Sequence, residues 1–457
     1  MKSRRNTLKV LGGGMLAMGL SSVLPGCGDK KKDQGGASKG TGEMTYRVNP
    51  TTGDRVSLLG YGCMRYPTLP DTDGVLDQEA INESIDYALE HGVNYFDTSP
   101  AYCRGQSETA TGIALSRHPR DSYFIATKLS NFAPETWTRE RSIAMFENSL
   151  KNLQVDYIDY LLLHSIGQGG METFNKRYED NGILDYLIEK KKEGKIRNLG
   201  FSYHGDIAVF DYLLQQHDEG RVNWDFVQIQ LNYVDQKHAK DLNPRNTNGE
   251  YLYGELQKRG IPAVIMEPLL GGRLASLPTN LSKLLKEKRP DDSVASWAFR
   301  YAGTPEGVLT VLSGMTYMEH LKENVNTYSP LLTVNEEEDH LLQRIATMML
   351  EYPTVDCNAC DYCMPCPYGL DIPGIFTFYN KMVNEGTIVT DNQDPAYRQA
   401  RKDFLVGLFR EVEPRRQAGR CTNCGECLDH CPQTIDIPAQ MEKIHHYAEG
   451  LRRNTLS

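Results

Sequence analysis

The cysteines constrain the fold of this chain more than any other feature of its sequence. Eight of its eleven cysteines lie between residues 357 and 431 and form two dense runs, CNACDYCMPCP and CTNCGECLDHCP. These eight residues are Cys357, Cys360, Cys363 and Cys366 in the first run and Cys421, Cys424, Cys427 and Cys431 in the second. Secreted disulfide proteins spread their cysteines along the chain, whereas dense CxxC runs indicate metal chemistry. The carboxyl-terminal part of the chain is therefore expected to fold around metal centres.

The spacing within the runs selects among metal centres. The second run has the C-x2-C-x2-C-x3-C-P spacing of bacterial [4Fe–4S] proteins, and the first is one residue shorter before its fourth cysteine. In two-cluster ferredoxins the fourth cysteine of each run ligates the other cluster. We therefore expect two [4Fe–4S] clusters, held by Cys357, Cys360, Cys363 and Cys431 and by Cys421, Cys424, Cys427 and Cys366. Tetrahedral zinc is the alternative, although zinc usually takes two ligand pairs separated by a loop.

Helical patterns surround the two cysteine runs. The tails YGLDIPGIFTFYNKMV (368–383) and QTIDIPAQMEKIHHYA (433–448) each place a proline near the start of a helical pattern, as a helix amino terminus prefers. Residues 336–457 are therefore expected to form a small helical ferredoxin-like domain built from a duplicated unit. The chain carries a net charge of −10, which argues against a nucleic-acid partner.

Residues 45–335 alternate short β-rich runs with helical patterns. The predicted strands are 56–62, 93–99, 123–129, 157–165, 198–203, 226–232, 263–269 and 307–314. Between them lie amphipathic stretches such as 139–154, with apolar residues at helical spacing. Eight strand–helix units in about 270 residues predict an α/β fold, the (β/α)8 or TIM barrel. An open doubly wound sheet is the alternative, but the first unit lacks a GxGxxG turn that opens a helix.

Polar side chains fall where the predicted strands end. Asp97 ends the second strand, Lys128 the third and His164 the fourth, and Tyr102 lies in the loop after the second. In a TIM barrel these strand ends line the active-site mouth. A lysine buried in a strand needs a counter-charge, which Asp97 can supply. An ammonium beside a tyrosine lowers the phenol pKa from near ~10, so the set is suited to protonating a carbonyl during hydride transfer.

These residues resemble the catalytic tetrad of the aldo-keto reductases. The segment FDTSPAYCRGQSE (96–108) is similar to the family signature, and the lysine and histidine ending the next two strands complete the set. The resemblance covers about residues 45–330 and implies that Tyr102 is the general acid and Lys128 tunes its pKa. It also implies that Asp97 pairs with the lysine and His164 orients the substrate.

The same resemblance implies a nicotinamide dinucleotide, NADP or NAD, as hydride carrier. The positions that match the family's dinucleotide contacts are Ser202, Gln228, Leu270, Gly272, Gly314 and Asn324. Met266 stands where many members stack a tyrosine on the nicotinamide, and Tyr203 replaces the usual asparagine after the serine. The loop SGMTYMEHLKEN (313–324) lacks the lysine and arginine that many members use to clamp a 2′-phosphate, so the choice between NADP and NAD is left open.

The amino terminus has the pattern of an export signal. Arg4 and Arg5 precede a short apolar run in residues 1–27, which predicts a twin-arginine signal. The LPGC ending at Cys27 resembles a lipoprotein box, so this cysteine is a candidate for acylation and lipid anchoring. Ordinary signal-peptidase cleavage and an unprocessed tail are the alternatives. Residues 28–44 are polar and glycine-rich and predict a flexible tether. The expected location is periplasmic or membrane-anchored, outside the cytoplasm.

Two functions follow from these patterns. The first is an oxidoreductase that interconverts a carbonyl and an alcohol, acts on a small carbonyl or sugar-like substrate and exchanges electrons with a redox partner protein through its clusters. The second is a non-enzymatic iron–sulphur electron carrier that uses the barrel as a scaffold. An iron–sulphur dehydratase would need a cluster iron without a cysteine ligand, and eight cysteines leave none.

Overall fold

A computed structural model describes residues 42–70, 72 and 74–456 of the chain. The predicted signal at 1–27, including Cys27, lies outside the described residues, as does the predicted tether up to residue 41. Met44, at the end of the predicted tether, is already buried against the barrel. No described helix is both long and apolar enough to cross a membrane.

Eight parallel strands close into a barrel, which confirms the predicted fold and excludes the open sheet. A short hairpin precedes them, made of β1 (Tyr46–Val48) and β2 (Arg55–Ser57). The barrel strands are β3 (Leu59–Gly62), β4 (Tyr95–Asp97), β5 (Phe124–Leu129), β6 (Ile158–Ile166), β7 (Ile196–Tyr203), β8 (Phe226–Gln230), β9 (Ala263–Met266) and β10 (Val308–Ser313). Each strand pairs with the next along the chain, and β10 pairs with β3.

The structure differs from the prediction at the start of the first predicted barrel strand, residues 56–62. Residues 56 and 57 pair antiparallel within the hairpin rather than with the barrel. The Asn49 side chain donates a hydrogen bond of 3.3 Å to the hydroxyl of Tyr160, near the start of β6. The hairpin therefore lies at the amino-terminal end of the barrel, and the opposite mouth is left to the loops that follow the strands.

Helices surround the barrel in the predicted alternation. They are α1 (Gln78–Glu90), α2 (Ser107–Leu115), α3 (Arg139–Leu153), α4 (Gly170–Phe174), α5 (Ile183–Lys192), α6 (Ile207–Asp218), α7 (Asp235–Leu242), α8 (Gly249–Lys258), α9 (Thr279–Lys288), α10 (Val294–Gly303) and α11 (Met318–Thr327). Helix α3 illustrates why they form: the Thr138 side chain caps its first turn, and Phe146 and Leu153 bury one face.

Helix α12 (Glu336–Met349) joins the barrel to the carboxyl-terminal domain. A capping box formed by Asn335 and Glu338 fixes its start, and the buried Glu338 also pairs with Arg300 at 2.6 Å. Its apolar side chains, such as Leu342, pack with helices α9 and α10. The change of hydrophobic core therefore comes after α12.

The carboxyl-terminal domain contains three further helices, α13 (Ile372–Asn384), α14 (Tyr397–Glu411) and α15 (Ile437–Arg453). They share a core of their own that includes Phe376, Phe404 and Ile444. Helices α13 and α15 begin alike, each with an aspartate cap followed by a proline in the first turn. This likeness is what the matching tails of the two cysteine runs predict.

Candidate active site

Asp97 and Lys128 form a buried ion pair at the carboxyl-terminal mouth of the barrel. Lys128, on β5, donates a hydrogen bond of 2.6 Å from Nζ to Oδ1 of Asp97, at the end of β4. A second bond of 2.9 Å goes to the carbonyl oxygen of Thr98. Burial raises the pKa of the Asp97 carboxyl and lowers the pKa of the Lys128 ammonium, and the ion pair opposes both changes. Each charge therefore depends on the other.

Tyr102 lies beside this ion pair, with the Lys128 Nζ 4.8 Å from the centre of its ring. Burial raises the pKa of Tyr102 well above its ordinary value, and the Asp97 carboxylate adds to the rise. From the sequence, Lys128 was expected to lower this pKa. In the structure, burial and the Asp97 carboxylate outweigh the Lys128 ammonium. The phenol is therefore protonated at neutral pH and can act as a proton donor.

His164 lies on the other side of Tyr102, with the two ring centres 6.0 Å apart. Burial lowers the pKa of His164 well below its ordinary value, and the charges of Lys128 and Arg177 add to the effect. The imidazole is therefore neutral. Its Nδ1 lies 2.6 Å from Oγ of Ser130. When Ser130 donates to Nδ1, the Nε2 atom carries the proton and can donate to a carbonyl oxygen.

Three of these side chains, those of Asp97, Tyr102 and His164, border a cavity of about 370 Å³ at the barrel mouth. Five of the six residues predicted to contact the dinucleotide line it, namely Ser202, Gln228, Gly272, Gly314 and Asn324. Among the described residues, the buried Oε1 of Gln228 has no hydrogen-bond partner. A buried amide oxygen without a partner calls for a donor from a ligand. The carboxamide of a nicotinamide fits this requirement.

Leu270 is the sixth of these residues, and its side chain does not line the cavity. It packs in an apolar cluster with Leu274 and Trp297. The backbone turns at Leu270, with φ at 49°. Its neighbours Leu269 and Gly271 border the cavity in its place.

The eight clustered cysteines surround two small cavities in the carboxyl-terminal domain. We call them the first cage, bordered by Cys357, Cys360, Cys363 and Cys431, and the second cage, bordered by Cys366, Cys421, Cys424 and Cys427. The fourth cysteine of each run thus lies with the three leading cysteines of the other run. This is the crossed arrangement that the sequence predicts.

The walls of the first cage fit an iron–sulphur cluster. Ile372 and Phe376 supply apolar surface, and the Ala359 amide donates a hydrogen bond of 3.3 Å to Sγ of Cys357. Hydrogen bonds to the sulfurs and limited solvent access are features that tune such clusters. All ten described cysteines are free thiols. No group of three or more His, Cys, Asp or Glu side chains in the described part of the chain forms a site for a single metal ion.

Comparisons with known proteins agree with both halves of this architecture. Residues 58–339 match the model of the Aldo/keto reductase family. The chain belongs to this family. Residues 356–435 match a 4Fe-4S dicluster domain, so this aldo-keto reductase carries an iron–sulphur domain after its barrel.

Relatives of this aldo-keto reductase include named oxidoreductases. L-galactose dehydrogenase of Arabidopsis thaliana is 25% identical over 316 residues, which cover 65% of this chain and 92% of that protein. The NADH-specific methylglyoxal reductase of Escherichia coli is 27% identical over 311 residues, covering 60% and 90%. The holo form of an aldo-keto reductase from Bacillus halodurans has a TM-score of 0.53 at 25% identity and covers 66% of this chain and 96% of that one. The chain is accordingly an oxidoreductase.

The iron–sulphur domain of this aldo-keto reductase lies directly over the barrel mouth. Asn358, Cys360, Tyr362 and Pro432 border the same cavity as Tyr102. All but Pro432 belong to a segment that we call the first cysteine loop, residues 357–366. Cys360, which borders the first cage, is therefore also part of the wall of this pocket.

Arginines of the barrel hold the first cysteine loop in place. Arg65, after β3, donates to the carbonyl oxygens of Asn358 and Ala359. Arg273, after β9, pairs with Asp356 at 2.8 Å. The two surfaces also approach closely at Gly271, where an added Cβ would lie 2.1 Å from the Cα of Asn358. The domains are thus fitted to each other at the edge of the pocket.

Four side chains of this region were not predicted from the sequence, namely Arg65, Phe132, Glu267 and Tyr362. Arg65, Glu267 and Tyr362 line the cavity, and Phe132 packs against His164 with ring centres 4.8 Å apart. Arg65 and Glu267 follow the ends of strands β3 and β9, so the strand-end rule that found Asp97 could have found them. No comparable signal marks Tyr362, which stands between two cysteines of a run.

Proposed function

We propose that this oxidoreductase interconverts a carbonyl and an alcohol by hydride transfer with a nicotinamide dinucleotide, NADP or NAD, and that two [4Fe–4S] clusters transfer electrons. The observation that carries the proposal is that Asp97, Tyr102, His164 and Gln228 line one cavity, with Lys128 paired to Asp97 beside the ring of Tyr102. Such a set can donate a proton and orient a carbonyl oxygen.

Proton transfer is assigned to Tyr102. In the direction of reduction its phenol donates a proton to the carbonyl oxygen, and the neutral imidazole of His164 hydrogen-bonds the same oxygen. Lys128 lies over the ring of Tyr102 and, with Asp97, holds charge beside the phenol. The phenolate left after donation is an anion, and the nearby ammonium stabilises it. In the direction of oxidation the same groups accept the proton from the alcohol.

The dinucleotide would be held by Ser202, Gln228, Gly272, Gly314 and Asn324. It supplies the hydride, and Gln228 and Ser202 suit its carboxamide. The Ser202 hydroxyl oxygen accepts a hydrogen bond of 2.8 Å from the amide of Ser165, which leaves its own proton to donate. Met266 offers a thioether contact to the nicotinamide ring in place of aromatic stacking.

The two clusters would be held by the first and second cages. Each would supply a one-electron redox centre when bound. We propose that they connect the pocket to an external redox partner. The position of Cys360 at the pocket wall supports this role, as does the exposure of Cys424 in the second cage.

The substrate class is proposed from the named relatives, and the location from the amino-terminal sequence. The names of the relatives, which include L-galactose dehydrogenase, D-arabinose 1-dehydrogenase of Saccharomyces cerevisiae and methylglyoxal reductase, support a small carbonyl or sugar-like substrate. The paired Arg4 and Arg5 support export by the twin-arginine route, with Cys27 as a possible site of lipid attachment.

Anaerobic purification tests the proposal. The purified chain is expected to contain about eight iron and eight sulfide per molecule and to bind a nicotinamide dinucleotide. Turnover of small aldehydes should fall at least about 100-fold in Tyr102→Phe, which lacks the acidic proton. Tyr251→Phe is the matched control, because Tyr251 is 41% exposed on helix α8. Clusters without dinucleotide binding, together with no effect of Tyr102→Phe, would favour the electron carrier.

A further inference from the structure

Tyr362 is an aromatic residue that the iron–sulphur domain contributes to the reductase pocket. It lies between Cys360 and Cys363 in the first cysteine loop and lines the cavity that Tyr102 and His164 also border. None of the roles proposed for the catalytic and dinucleotide-binding residues involves Tyr362, and it belongs to no reductase motif.

Ring contacts through Phe132 connect Tyr362 to His164. The ring of Phe132 lies 4.8 Å from the His164 ring and 6.2 Å from the Tyr362 ring, centre to centre. Tyr102 is also close to His164, with the ring centres 6.0 Å apart. The hydroxyl of Tyr362, like any phenol, can donate or accept a hydrogen bond.

We propose that Tyr362 is a specificity-determining residue that contacts the part of the substrate next to the carbonyl. The inference rests on the proposed function, since it needs a carbonyl held by Tyr102 and His164. A substrate so held occupies the cavity that Tyr362 also lines, so the atoms next to its carbonyl can contact the Tyr362 ring. Aromatic rings pack against C–H groups, and the phenol hydroxyl adds a polar contact. The favoured substrate is thus a small hydroxylated aldehyde or ketone.

Two sets of contacts fix Tyr362 in this position. On one side, Arg65 holds the carbonyl oxygens of Asn358 and Ala359, just before Cys360. On the other side, Cys360 and Cys363 of the same loop border the first cage. The loop that would bind the first cluster therefore also shapes the substrate pocket.

Two substitutions at Tyr362 test this role. Tyr362→Ala removes the ring and the hydroxyl, and it should raise KM for glyceraldehyde about tenfold or more while changing kcat much less. It should also raise the turnover of carbonyls bulkier than glyceraldehyde relative to that of glyceraldehyde, because the pocket is enlarged. Tyr362→Phe keeps the ring, and its smaller rise in KM should be confined to hydroxylated substrates. Tyr251→Ala and Tyr251→Phe, on the solvent-facing side of α8, are the matched controls.

Two measurements besides turnover accompany the kinetics. Dinucleotide affinity, followed by fluorescence quenching, and the electron paramagnetic resonance spectrum of the reduced protein should both match the wild type. If Tyr362→Ala loses iron, Tyr362→Phe decides the question alone. An unchanged KM for hydroxylated substrates in an iron-replete variant overturns the role of Tyr362. A wild type that binds no dinucleotide and turns over no carbonyl refutes the proposed function instead.

Discussion

Arg65 in the barrel donates a hydrogen bond of 2.7 Å from Nη2 to the carbonyl oxygen of Asn358 in the iron–sulphur domain. Its Nη1 makes a second bond, of 3.0 Å, to the next carbonyl oxygen, that of Ala359. One guanidinium thus holds two successive peptide groups beside the first cage. Because Arg65 also lines the reductase cavity, it connects the position of the first cysteine loop to the shape of the pocket.

Replacing Arg65 with alanine should loosen this loop without unfolding the barrel. Both carbonyl oxygens would lose a charged donor, at a local cost of about 2–4 kcal/mol. We expect faster amide hydrogen exchange in residues 357–366 and faster iron loss to a chelator, with the barrel strands unchanged. Arg55→Ala is the control, because its side chain is 59% exposed and lies on the β1–β2 hairpin. Equal exchange in the two variants would contradict the anchoring role.

Replacing Lys128 with methionine should cost both stability and activity. The substitution leaves the carboxylate of Asp97 buried without a counter-charge, which destabilises a protein by about 3–5 kcal/mol. Turnover should fall at least about 100-fold, because the phenolate of Tyr102 loses its nearby cation. Thermal unfolding and carbonyl turnover measure the two effects.

A double variant and an exposed ion pair provide the controls for Lys128. Asp97→Asn combined with Lys128→Met should recover stability but not turnover, since no charge is then left unpaired. Lys176→Met breaks an exposed pair with Glu172 and should leave the melting temperature unchanged. If the Lys128→Met single variant were as stable as the wild type, the buried Asp97 carboxylate would not depend on Lys128 as its counter-charge.

Much of the site could be predicted because its residues stand at the carboxyl ends of predicted strands. Asp97, Lys128 and His164 come from three different strands, yet the carboxyl ends of parallel strands meet at one mouth of a barrel. Their proximity followed from their positions in the pattern alone. The crossed cages were predictable for a similar reason, since cysteine spacing restricts which sulfurs can share a cluster.

Two features of the site depend on packing that the pattern does not encode. The raised pKa of Tyr102 results from burial and from the nearby Asp97 carboxylate, which together outweigh the Lys128 ammonium, and residue types alone do not give that balance. Tyr362 reaches the pocket only because the iron–sulphur domain docks on the barrel. Sequence periodicity describes contacts within elements, whereas this docking joins segments nearly 300 residues apart, as with Arg65 and Asn358.

The buried His204 should make the fold sensitive to acid. Burial lowers the pKa of His204 from 6.5 to about 4. Between these values the unfolded chain binds a proton that the folded chain does not, so stability falls as the pH drops below 6.5. The loss should reach about 2 kcal/mol between pH 6.5 and pH 5.

His204→Asn should remove this part of the acid sensitivity. The measurement is the melting temperature of the anaerobic protein at pH 7 and pH 5, compared between variants so that effects common to both cancel. His340→Asn is the control, because the His340 side chain is 74% exposed. The drop in melting temperature should be smaller in His204→Asn than in the wild type or the control. An equal drop in all three would mean that the buried imidazole is not the cause.

Iron counting in paired cysteine variants should distinguish crossed from uncrossed cages. In the structure Cys431 borders the first cage with Cys357, not the second cage with Cys421. Serine at both Cys357 and Cys431 therefore affects the first cage only, and about four iron per chain should survive in the second. Serine at both Cys421 and Cys431 affects both cages, and less iron should remain. Since both variants lose two thiolates and share Cys431→Ser, they are matched controls for each other. The opposite order of iron content would mean that each run holds its own cluster.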